Sequence, residues 1–286
     1  MKEMLCINGG KILSGEVSVG GAKNSLVALI PASIITRSIV KLENVMPIDD
    51  TYTLINILHE LNVYTLYDNK SCLYIDARKV KNVKLDSIYM SKMRASYYFM
   101  GALLSLFNNV SVLGPGGCDF GSRPIDLHLF AFESLGVSYK EENGVYSFSK
   151  GKLLNREITF KKKSVGATIN AILASCRVRG FIKLNNCSLE PEVDDVINFL
   201  NKCGCSINRI DESIVINGRS KLDGCSYKVM PDRIESGTFM IIGACICNSL
   251  RIKNLDTSSL QNVINVLKAI GVKIVEGKDW VIVNTI

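Results

Sequence analysis

Hydrophobic and polar positions follow a pattern along this chain that repeats about every 70 residues. Four segments share the order of a strand, a polar loop, an amphipathic helix, a tight turn and two short strands. The tight turns align at Asn62, Gly136, Gly204 and Gly271, so successive turns lie 74, 68 and 67 residues apart. Such a period predicts a fold built from similar, compact α/β units. The four segments are residues 39–76, 110–148, 180–218 and 249–284.

Two kinds of helix are predicted in each repeat. In the amphipathic helix, apolar side chains recur at i, i+3, i+4 and i+7, as at Leu54, Ile57, Leu58 and Leu61. The other helix precedes the repeat and is apolar nearly all round. We therefore expect it to be buried at the centre of its domain, with the amphipathic helix outside it and the sheet on another face. The predicted buried helices are residues 20–30, 93–104, 165–174 and 235–244.

The predicted fold class is α/β, with two helices on a small sheet in each repeat. Three repeats packed around shared buried helices would complete one domain, over residues 21–229. The fourth repeat, in residues 230–286, would join the N-terminal strand in residues 1–20 to form part of a second domain. A partial domain would expose the apolar face of residues 239–246, so we also expect self-association or a complementing chain there.

Composition and charge narrow the classes of function. Hydrophobic residues make up 47% of the 286 residues and charged residues 21%, which excludes a disordered chain. There is no apolar run long enough to span a membrane and no secretory signal at the start, so we expect a cytoplasmic protein without a membrane partner. The net charge of +7 is spread along the chain. It suits an anionic ligand better than nucleic acid, whose partners concentrate basic residues in one stripe.

Cysteine usage indicates a reduced compartment. The ten cysteines are scattered, none is in CxxC spacing, and only two histidines accompany them. We therefore expect neither a zinc site nor a disulfide framework, and no metal or other cofactor. Cys176, Cys245 and Cys247 lie in apolar runs and are predicted to be inert core residues. Cys118 differs, because it lies in a glycine-rich loop that could expose a thiol.

Polar residues gather where the predicted buried helices begin. The free N–H groups and the positive dipole end of a helix start make such places natural anion sites. Ordinary helix capping explains any one of these starts equally well. Four equivalent starts are better explained by a shared cleft for an anionic ligand. The residues concerned are Lys23, Asn24, Arg94, Lys162, Lys163, Ser164, Asp232 and Arg233.

The motifs together resemble one family, the UDP-N-acetylglucosamine 1-carboxyvinyltransferases, also called enolpyruvyl transferases. GPGGCDFGSRPIDLH, at residues 114–128, is the most specific of them, because a glycine-rich cysteine loop is followed by Arg-Pro-Ile-Asp. The others match in order over essentially the whole chain. They are GGAKNS (20–25), MRAS (93–96), SVGAT (164–168), EPE (190–192) and PDRIESGT (231–238).

The resemblance implies a fold and a reaction. The fold is an inside-out α/β barrel of two domains with three repeats each, of which this chain would hold four repeats. The reaction transfers the enolpyruvyl group of phosphoenolpyruvate to the 3′-hydroxyl of UDP-N-acetylglucosamine by addition and elimination. Phosphate is released, and the reaction is the first committed step of peptidoglycan synthesis. Both substrates are anionic, so fixed cations are needed to hold them.

The resemblance also implies site residues. Lys23, Asn24 and Arg123 would bind phosphoenolpyruvate, and Lys23 and Arg94 would be catalytic together with Cys118. Cys118 would act as a general acid, form a phospholactoyl adduct and be the residue that fosfomycin alkylates. The nucleotide sugar would be bound by Arg94, Arg123, Pro124, Ile125, Asp126, Leu127, Lys162, Lys163, Ser164, Val165 and Gly166.

The sequence allows two roles for several other polar residues. Glu190 and Glu192 could belong to the site or could simply serve the dipole at the head of an amphipathic helix. Asp232 and Arg233 could touch substrate or form a hinge ion pair. No catalytic role is predicted for the two histidines, His59 and His128.

Three alternative functions are also compatible with the sequence. The general base and further phosphoenolpyruvate-binding arginines of the family map to none of these residues, so the chain could be a weakly active or inactive paralogue that only binds UDP-N-acetylglucosamine. A 3-phosphoshikimate 1-carboxyvinyltransferase shares the fold and donor, but lacks the cysteine loop and has a serine-rich first motif. A partly folded product without function is the third.

Overall fold

A computed structural model describes residues 4–68, 70–116, 124–152 and 156–284. Short strands alternate with helices throughout, as the repeat predicts. The helices are α1 (Lys23–Ile34), α2 (Asp49–Glu60), α3 (Ile88–Lys92), α4 (Tyr98–Leu106), α5 (Asp126–Ser134), α6 (Val165–Ser175), α7 (Pro191–Lys202), α8 (Arg233–Ile246) and α9 (Gln261–Ala269), with 3₁₀ helices at Arg94–Tyr97 and Thr257–Leu260. The strands are β1 (Leu13–Ser18), β2 (Ile39–Glu43), β3 (Tyr64–Tyr67), β4 (Leu73–Asp76), β5 (Asn109–Leu113), β6 (Val137–Glu142), β7 (Val145–Lys150), β8 (Glu157–Thr159), β9 (Gly180–Asn185), β10 (Ser206–Ile210), β11 (Ser213–Gly218), β12 (Ser226–Lys228), β13 (Cys247–Lys253), β14 (Lys273–Glu276) and β15 (Trp280–Asn284).

The same small sheet occurs in each repeat. Its three antiparallel strands are the first, third and second strands of the repeat, as in β9-β11-β10 and β13-β15-β14. A further strand from another part of the chain pairs in parallel with the first strand. β8 does this for β9, β1 for β13, and β12 for β2. In the second repeat, a single parallel bridge between Leu85 and Val112 takes the same place.

Left-handed backbone conformations mark equivalent positions in the repeats. The four predicted turn residues all have positive φ, at 60° for Asn62, 83° for Gly136, 96° for Gly204 and 100° for Gly271. Glycine and asparagine enter this region at the least cost, which explains their choice at a helix end that reverses into a strand.

Three asparagines after the first strand of a repeat also have positive φ, and each clamps the neighbouring parallel segment. The side-chain amide of Asn44 donates to the carbonyl of Val229, that of Asn186 to Phe160, and that of Asn254 to Val19, at 3.0, 2.9 and 2.6 Å. The carbonyl in each case follows the parallel strand β12, β8 or β1. The clamp therefore fixes the end of the parallel pair in three repeats.

The chain divides into two compact units. The larger is Lys23–Met230, and the smaller combines Met1–Ala22 with Pro231–Ile286. In the larger unit, α1 packs on α4 and α4 on α6, while α2, α5 and α7 lie outside them. The central helices are almost wholly buried, as the apolar pattern predicts. Each fully buried Leu or Ile side chain stabilises such a core by about 1.5–3 kcal/mol.

The smaller unit is organised around α8, which packs on β13, β15 and α9. The expectation that residues 235–244 are buried is wrong for this helix. Only Ser236, Gly237, Met240 and Gly243 of α8 are buried, because its neighbours cover a single face. Cys245 is accordingly exposed and is not a core residue, whereas Cys176 and Cys247 are buried as expected.

The helices differ from the sequence prediction at one further place. Residues 93–104 do not form one helix, because the 3₁₀ helix Arg94–Tyr97 precedes α4. None of the helices in the described ranges combines the length and the apolar character needed to cross a membrane.

Candidate functional site

The start of α1 presents two of the predicted phosphoenolpyruvate residues. Lys23 is the first residue of the helix, and both it and Asn24 are exposed. The Lys23 ammonium contacts Oδ2 of Asp50 at 2.6 Å, on the neighbouring helix α2. The ammonium group is exposed and the carboxylate half-buried, so water reaches the pair and weakens it. An incoming phosphate could therefore replace the Asp50 carboxylate at the ammonium group.

A buried carboxylate holds the same helix start from below. Asp195, on α7, accepts hydrogen bonds from the Ser25 hydroxyl and, at 2.6 Å, from the Tyr227 hydroxyl. Burial raises the pKa of Asp195, and the two hydroxyl donors oppose that rise. The network joins the first turn of α1 to α7 and β12, three elements far apart in sequence, and so fixes where Lys23 and Asn24 project.

Arg94 opens the 3₁₀ helix that precedes α4. Its guanidinium lies over the Tyr97 ring, 5.8 Å from the centroid, which is a favourable cation–π arrangement. The turn is held by the buried Ser96 hydroxyl, whose single proton is shared between the carbonyls of Met90 and Met93, at 2.7 and 2.8 Å from Oγ. The structure thus supports the Arg94 backbone from inside while leaving the side chain half-buried at the surface.

An open cavity of about 380 Å³ lies beside Arg94. Pro124 and Ile125, both predicted nucleotide-sugar residues, share its wall with Arg94 and with the glycine-rich segment. In that segment, a Cβ on Gly116 would come within 1.7 Å of the Ser91 carbonyl oxygen, so only glycine fits there. The remaining lining residues are Ser91, Leu113, Gly114, Pro115, Gly144 and Tyr146.

Two of the predicted site residues, Cys118 and Arg123, lie outside the described residues. Their roles as general acid and as anion clamp stay predictions from the resemblance. The chain is described again from Pro124, and α5 begins two residues later at Asp126. Asp126 is exposed, whereas Leu127 is buried.

The start of α6 carries the last group of predicted residues. Ser164 is the N-cap, and its side chain accepts a single hydrogen bond, from the Ala167 N–H at 3.3 Å. Lys162 is exposed, and Lys163 pairs with Glu212 on the protein surface. Val165 is half-buried and Gly166 is buried. A Cβ on Gly166 would lie 2.7 Å from the Tyr97 hydroxyl and 2.9 Å from Cε1 of His128, so this position packs tightly against the Arg94 turn and α5.

The acidic residues for which the sequence allows two roles have different surroundings in the structure. Glu190 precedes α7 and accepts a hydrogen bond from the Ser188 hydroxyl, whereas Glu192 is buried in the first turn. In the smaller unit, Asp232 caps α8 by accepting from the N–H groups of Ile234 and Glu235 at 2.8 and 3.0 Å. Glu235 in turn accepts from the N–H of Gly20 at 2.8 Å. A capping role for Asp232 is therefore observed.

Sequence reasoning missed the buried polar residues behind the site. The side-chain hydrogen bonds from Ser25 and Tyr227 to Asp195, and from Asn170 to His128, join residues far apart in sequence, which local periodicity cannot predict. A signal existed for Asn170, which interrupts an otherwise apolar buried helix. His128 is the last residue of the most specific motif, and the structure buries it against Tyr97. In the described part of the chain, no group of three or more His, Cys, Asp or Glu side chains is placed to hold a metal ion.

Comparison with known proteins places these features in a family. The family model described as EPSP synthase (3-phosphoshikimate 1-carboxyvinyltransferase) matches residues 7–286. A UDP-N-acetylglucosamine 1-carboxyvinyltransferase 2 of Listeria monocytogenes is 42% identical over 95% of the chain, and one of Streptococcus pyogenes is 43% identical over 98%. The chain spans 64% and 67% of the length of these two relatives.

Solved structures agree on the fold. The enolpyruvyl transferase NikO from Streptomyces tendae superposes with a TM-score of 0.86 over 98% of this chain and 67% of its own, at 24% identity. An EPSP synthase from Acinetobacter baumannii gives a TM-score of 0.76 over 96% of this chain and 65% of its own, at 16% identity. These neighbours show that the repeated α/β units form the enolpyruvyl transferase fold. The sequence relatives, such as the one that is 43% identical over 98% of the chain, establish that the chain belongs to the family of UDP-N-acetylglucosamine 1-carboxyvinyltransferases.

Proposed function

We propose that this chain binds UDP-N-acetylglucosamine and phosphoenolpyruvate and transfers the enolpyruvyl group to the sugar 3′-hydroxyl. The observation that carries the proposal is the convergence of three segments in the larger unit. Arg94, the turn at Pro124 and Ile125, and Gly166 at the start of α6 meet around Tyr97 and His128. Family membership supplies the ligand class, and the cations and the weakly capped helix start suit a diphosphate.

The proposed reaction needs no redox step. The sugar hydroxyl loses its proton to water as its oxygen bonds to C2 of phosphoenolpyruvate and C3 gains a proton, which gives a tetrahedral adduct. The bond from C2 to the phosphate oxygen then breaks and C3 returns a proton to the Cys118 thiolate, leaving the enol ether and inorganic phosphate. Cys118 would supply the proton to C3 and would be the thiol that fosfomycin alkylates. The product would serve peptidoglycan synthesis.

Three cations have assigned tasks in this proposal. Lys23 would exchange the Asp50 carboxylate for the phosphate of phosphoenolpyruvate. Arg94 would hold an anionic group of the sugar nucleotide, and Arg123 would clamp phosphoenolpyruvate through its planar fork. Asn24 would contact the same donor. The sugar nucleotide would also contact Arg123, Pro124, Ile125, Asp126, Leu127, Lys162, Lys163, Ser164, Val165 and Gly166.

The proposal also covers the cellular location of the chain and its association with another chain. A cytoplasmic location is supported by the nine described cysteines, which are all free thiols. Self-association or a complementing chain is supported by α8, on which Ile234, Ile241 and Ile246 are 55%, 52% and 49% exposed. Light scattering should show a concentration-dependent mass that Ile241→Asp reduces to that of a monomer, whereas Ile210→Asp on β10 should leave the mass unchanged. An unmodified chain that stays monomeric at all concentrations would overturn this part.

The reaction is tested by phosphate release from the purified chain. With both substrates present, we expect release that depends on UDP-N-acetylglucosamine and is lost in Cys118→Ala and Lys23→Ala. Shikimate 3-phosphate in place of the sugar nucleotide should give no release. Binding of the sugar nucleotide without release would instead support a binding paralogue, and release with shikimate 3-phosphate would support the other enolpyruvyl transferase class.

A further inference from the structure

A largely buried polar cluster lies directly behind the proposed sugar-nucleotide site. It consists of Tyr97, His128 and Asn170. Tyr97 lies on the same 3₁₀ helix as Arg94, His128 lies on α5 and Asn170 lies on α6. The Tyr97 and His128 rings meet edge to face with centroids 4.6 Å apart. His128 is 4% exposed and Asn170 is fully buried. A polar group buried this deeply lowers the stability of the fold unless it is hydrogen-bonded.

Both the oxygen and the nitrogen of the Asn170 side-chain amide form hydrogen bonds in this cluster. Its Oδ1 accepts from the N–H of Gly101 at 3.0 Å. Its Nδ2 donates to the Tyr97 carbonyl at 3.1 Å and to Nδ1 of His128 at 2.8 Å. Since an amide nitrogen only donates, Nδ1 of His128 must be the acceptor, so the imidazole is neutral. Burial, assisted by the positive charge of Arg94, lowers the pKa of His128 to about 4, which agrees with a neutral ring.

The cluster touches each segment of the proposed site. Arg94 lies over the ring of Tyr97, which places its guanidinium. Ile125 is three residues before His128, and its carbonyl accepts from the His128 N–H at 3.0 Å. Gly166 lies one helical turn before Asn170, within 3 Å of Tyr97 and His128 if it carried a Cβ. A single buried amide and a single imidazole thus connect three segments that are far apart in sequence.

We propose that Asn170 and His128 are positioning residues for sugar-nucleotide binding, which fix Arg94, Ile125 and Gly166 relative to one another. The inference rests on the proposed function for the identity of the ligand. Neither residue contacts the ligand in this account. They act through the Nδ2–H to Nδ1 hydrogen bond, so the position of an acceptor at residue 128 matters more than the imidazole ring itself.

A pair of variants separates the acceptor from the ring. His128→Asn keeps an acceptor close to the position of Nδ1 but removes the ring. His128→Phe keeps a ring against Tyr97 but leaves the Asn170 amide without an acceptor. Calorimetric titration with UDP-N-acetylglucosamine should show affinity reduced about tenfold or more in His128→Phe, and reduced only about threefold in His128→Asn. A merely structural role predicts losses that follow each variant's melting temperature instead.

A measurement on the unmodified chain covers the case in which His128→Phe does not fold. The chain has two histidines, so ¹⁵N-edited imidazole spectra contain only His128 and the exposed His59. We expect an unprotonated Nδ1 at His128, and signals that shift on saturation with UDP-N-acetylglucosamine while those of His59 stay fixed.

The outcomes distinguish the inference from the proposed function. If the folded wild-type chain binds no UDP-N-acetylglucosamine, the proposed function fails and the inference fails with it. If the wild-type chain binds but His128→Phe binds equally well, or the His128 signals do not respond to ligand, the positioning role is overturned while the proposed function stands.

Discussion

Helices α6 and α8 occupy equivalent places in their repeats but differ in burial. The ten residues from Gly166 to Ser175 of α6 are all buried, whereas four residues of the longer α8 are. α6 is packed against α4, α5 and α7 as well as its sheet, and α8 against α9 and its sheet. Both have the apolar composition of a central helix. The neighbouring repeats, and not the helix sequence, therefore determine whether such a helix becomes part of a core.

The N-terminal caps of the two helices also differ, and here the more exposed helix, α8, is the better capped one. Asp232 caps α8 with a carboxylate that accepts two short hydrogen bonds, whereas Ser164 caps α6 with one long hydrogen bond. A capped helix start has fewer N–H groups left for a ligand. The enclosed helix is therefore the one whose start is available to an anion, in agreement with the proposed site in the larger unit.

Matched truncations should give the largest difference between the helices. Ile172 on α6 is fully buried and Ile241 on α8 is 52% exposed. Ile172→Ala should lower the free energy of unfolding by about 2–5 kcal/mol, because it removes buried methyl groups and leaves a cavity. Ile241→Ala should lower it by less than about 0.5 kcal/mol. Urea unfolding followed by circular dichroism measures both, and equal losses would break the comparison.

His128, on α5, is buried against α6. We therefore expect the stability of the larger unit to depend on the protonation of His128. Its pKa in the folded state is about 4, below the value of 6.5 expected on unfolding. The unfolded state therefore binds more protons between these values, and stability present above pH 6.5 is lost as the pH falls to about 4. The loss should be about 3 kcal/mol at this site.

Unfolding of His128→Asn at the same pH values isolates this contribution. Asp195 titrates in both proteins, and its raised pKa acts with the opposite sign, so the difference between the two proteins reports His128 alone. We expect the wild-type chain to lose its advantage as the pH falls. Parallel pH profiles for the two proteins would show that His128 is not held neutral.

The caps should give the smallest difference. Asp232→Ala should destabilise the smaller unit by about 1 kcal/mol, and Ser164→Ala the larger unit by about 0.5 kcal/mol, since Asp232 accepts two good hydrogen bonds and Ser164 one poor one. Thermal unfolding of the two variants beside the wild-type chain measures this. A larger loss for Ser164→Ala would mean that the α6 start is committed to its cap.

The repeat made much of the fold predictable. The spacing of Asn62, Gly136, Gly204 and Gly271 depends on local backbone chemistry, which the sequence displays directly, and all four adopt positive φ. The asparagine clamp at Asn44 was not predicted, because its acceptor, Val229, is 185 residues away. The apolar pattern predicts the wrong burial for α8 for a related reason, since it says nothing about how many elements pack against the helix.

The site was predictable only in part. Motif residues such as Arg94 and Ile125 do meet at one cavity, but the motif does not show what holds them together. That support comes from Asn170, His128 and Asp195, whose hydrogen bonds join different repeats. Pairings of this kind depend on the tertiary arrangement and leave only indirect marks in a single sequence.

Calorimetric titration with UDP-N-acetylglucosamine tests the central claim, that the larger unit holds the sugar-nucleotide site. Arg94→Ala changes that unit, and Arg251→Ala is the matched control in the smaller one, where Arg251 lies over Trp280. We expect one site per chain, an affinity reduced at least about tenfold in Arg94→Ala, and no change in affinity in Arg251→Ala. A folded wild-type chain that binds no ligand, or an Arg94→Ala chain that binds as tightly as the wild type, would contradict it.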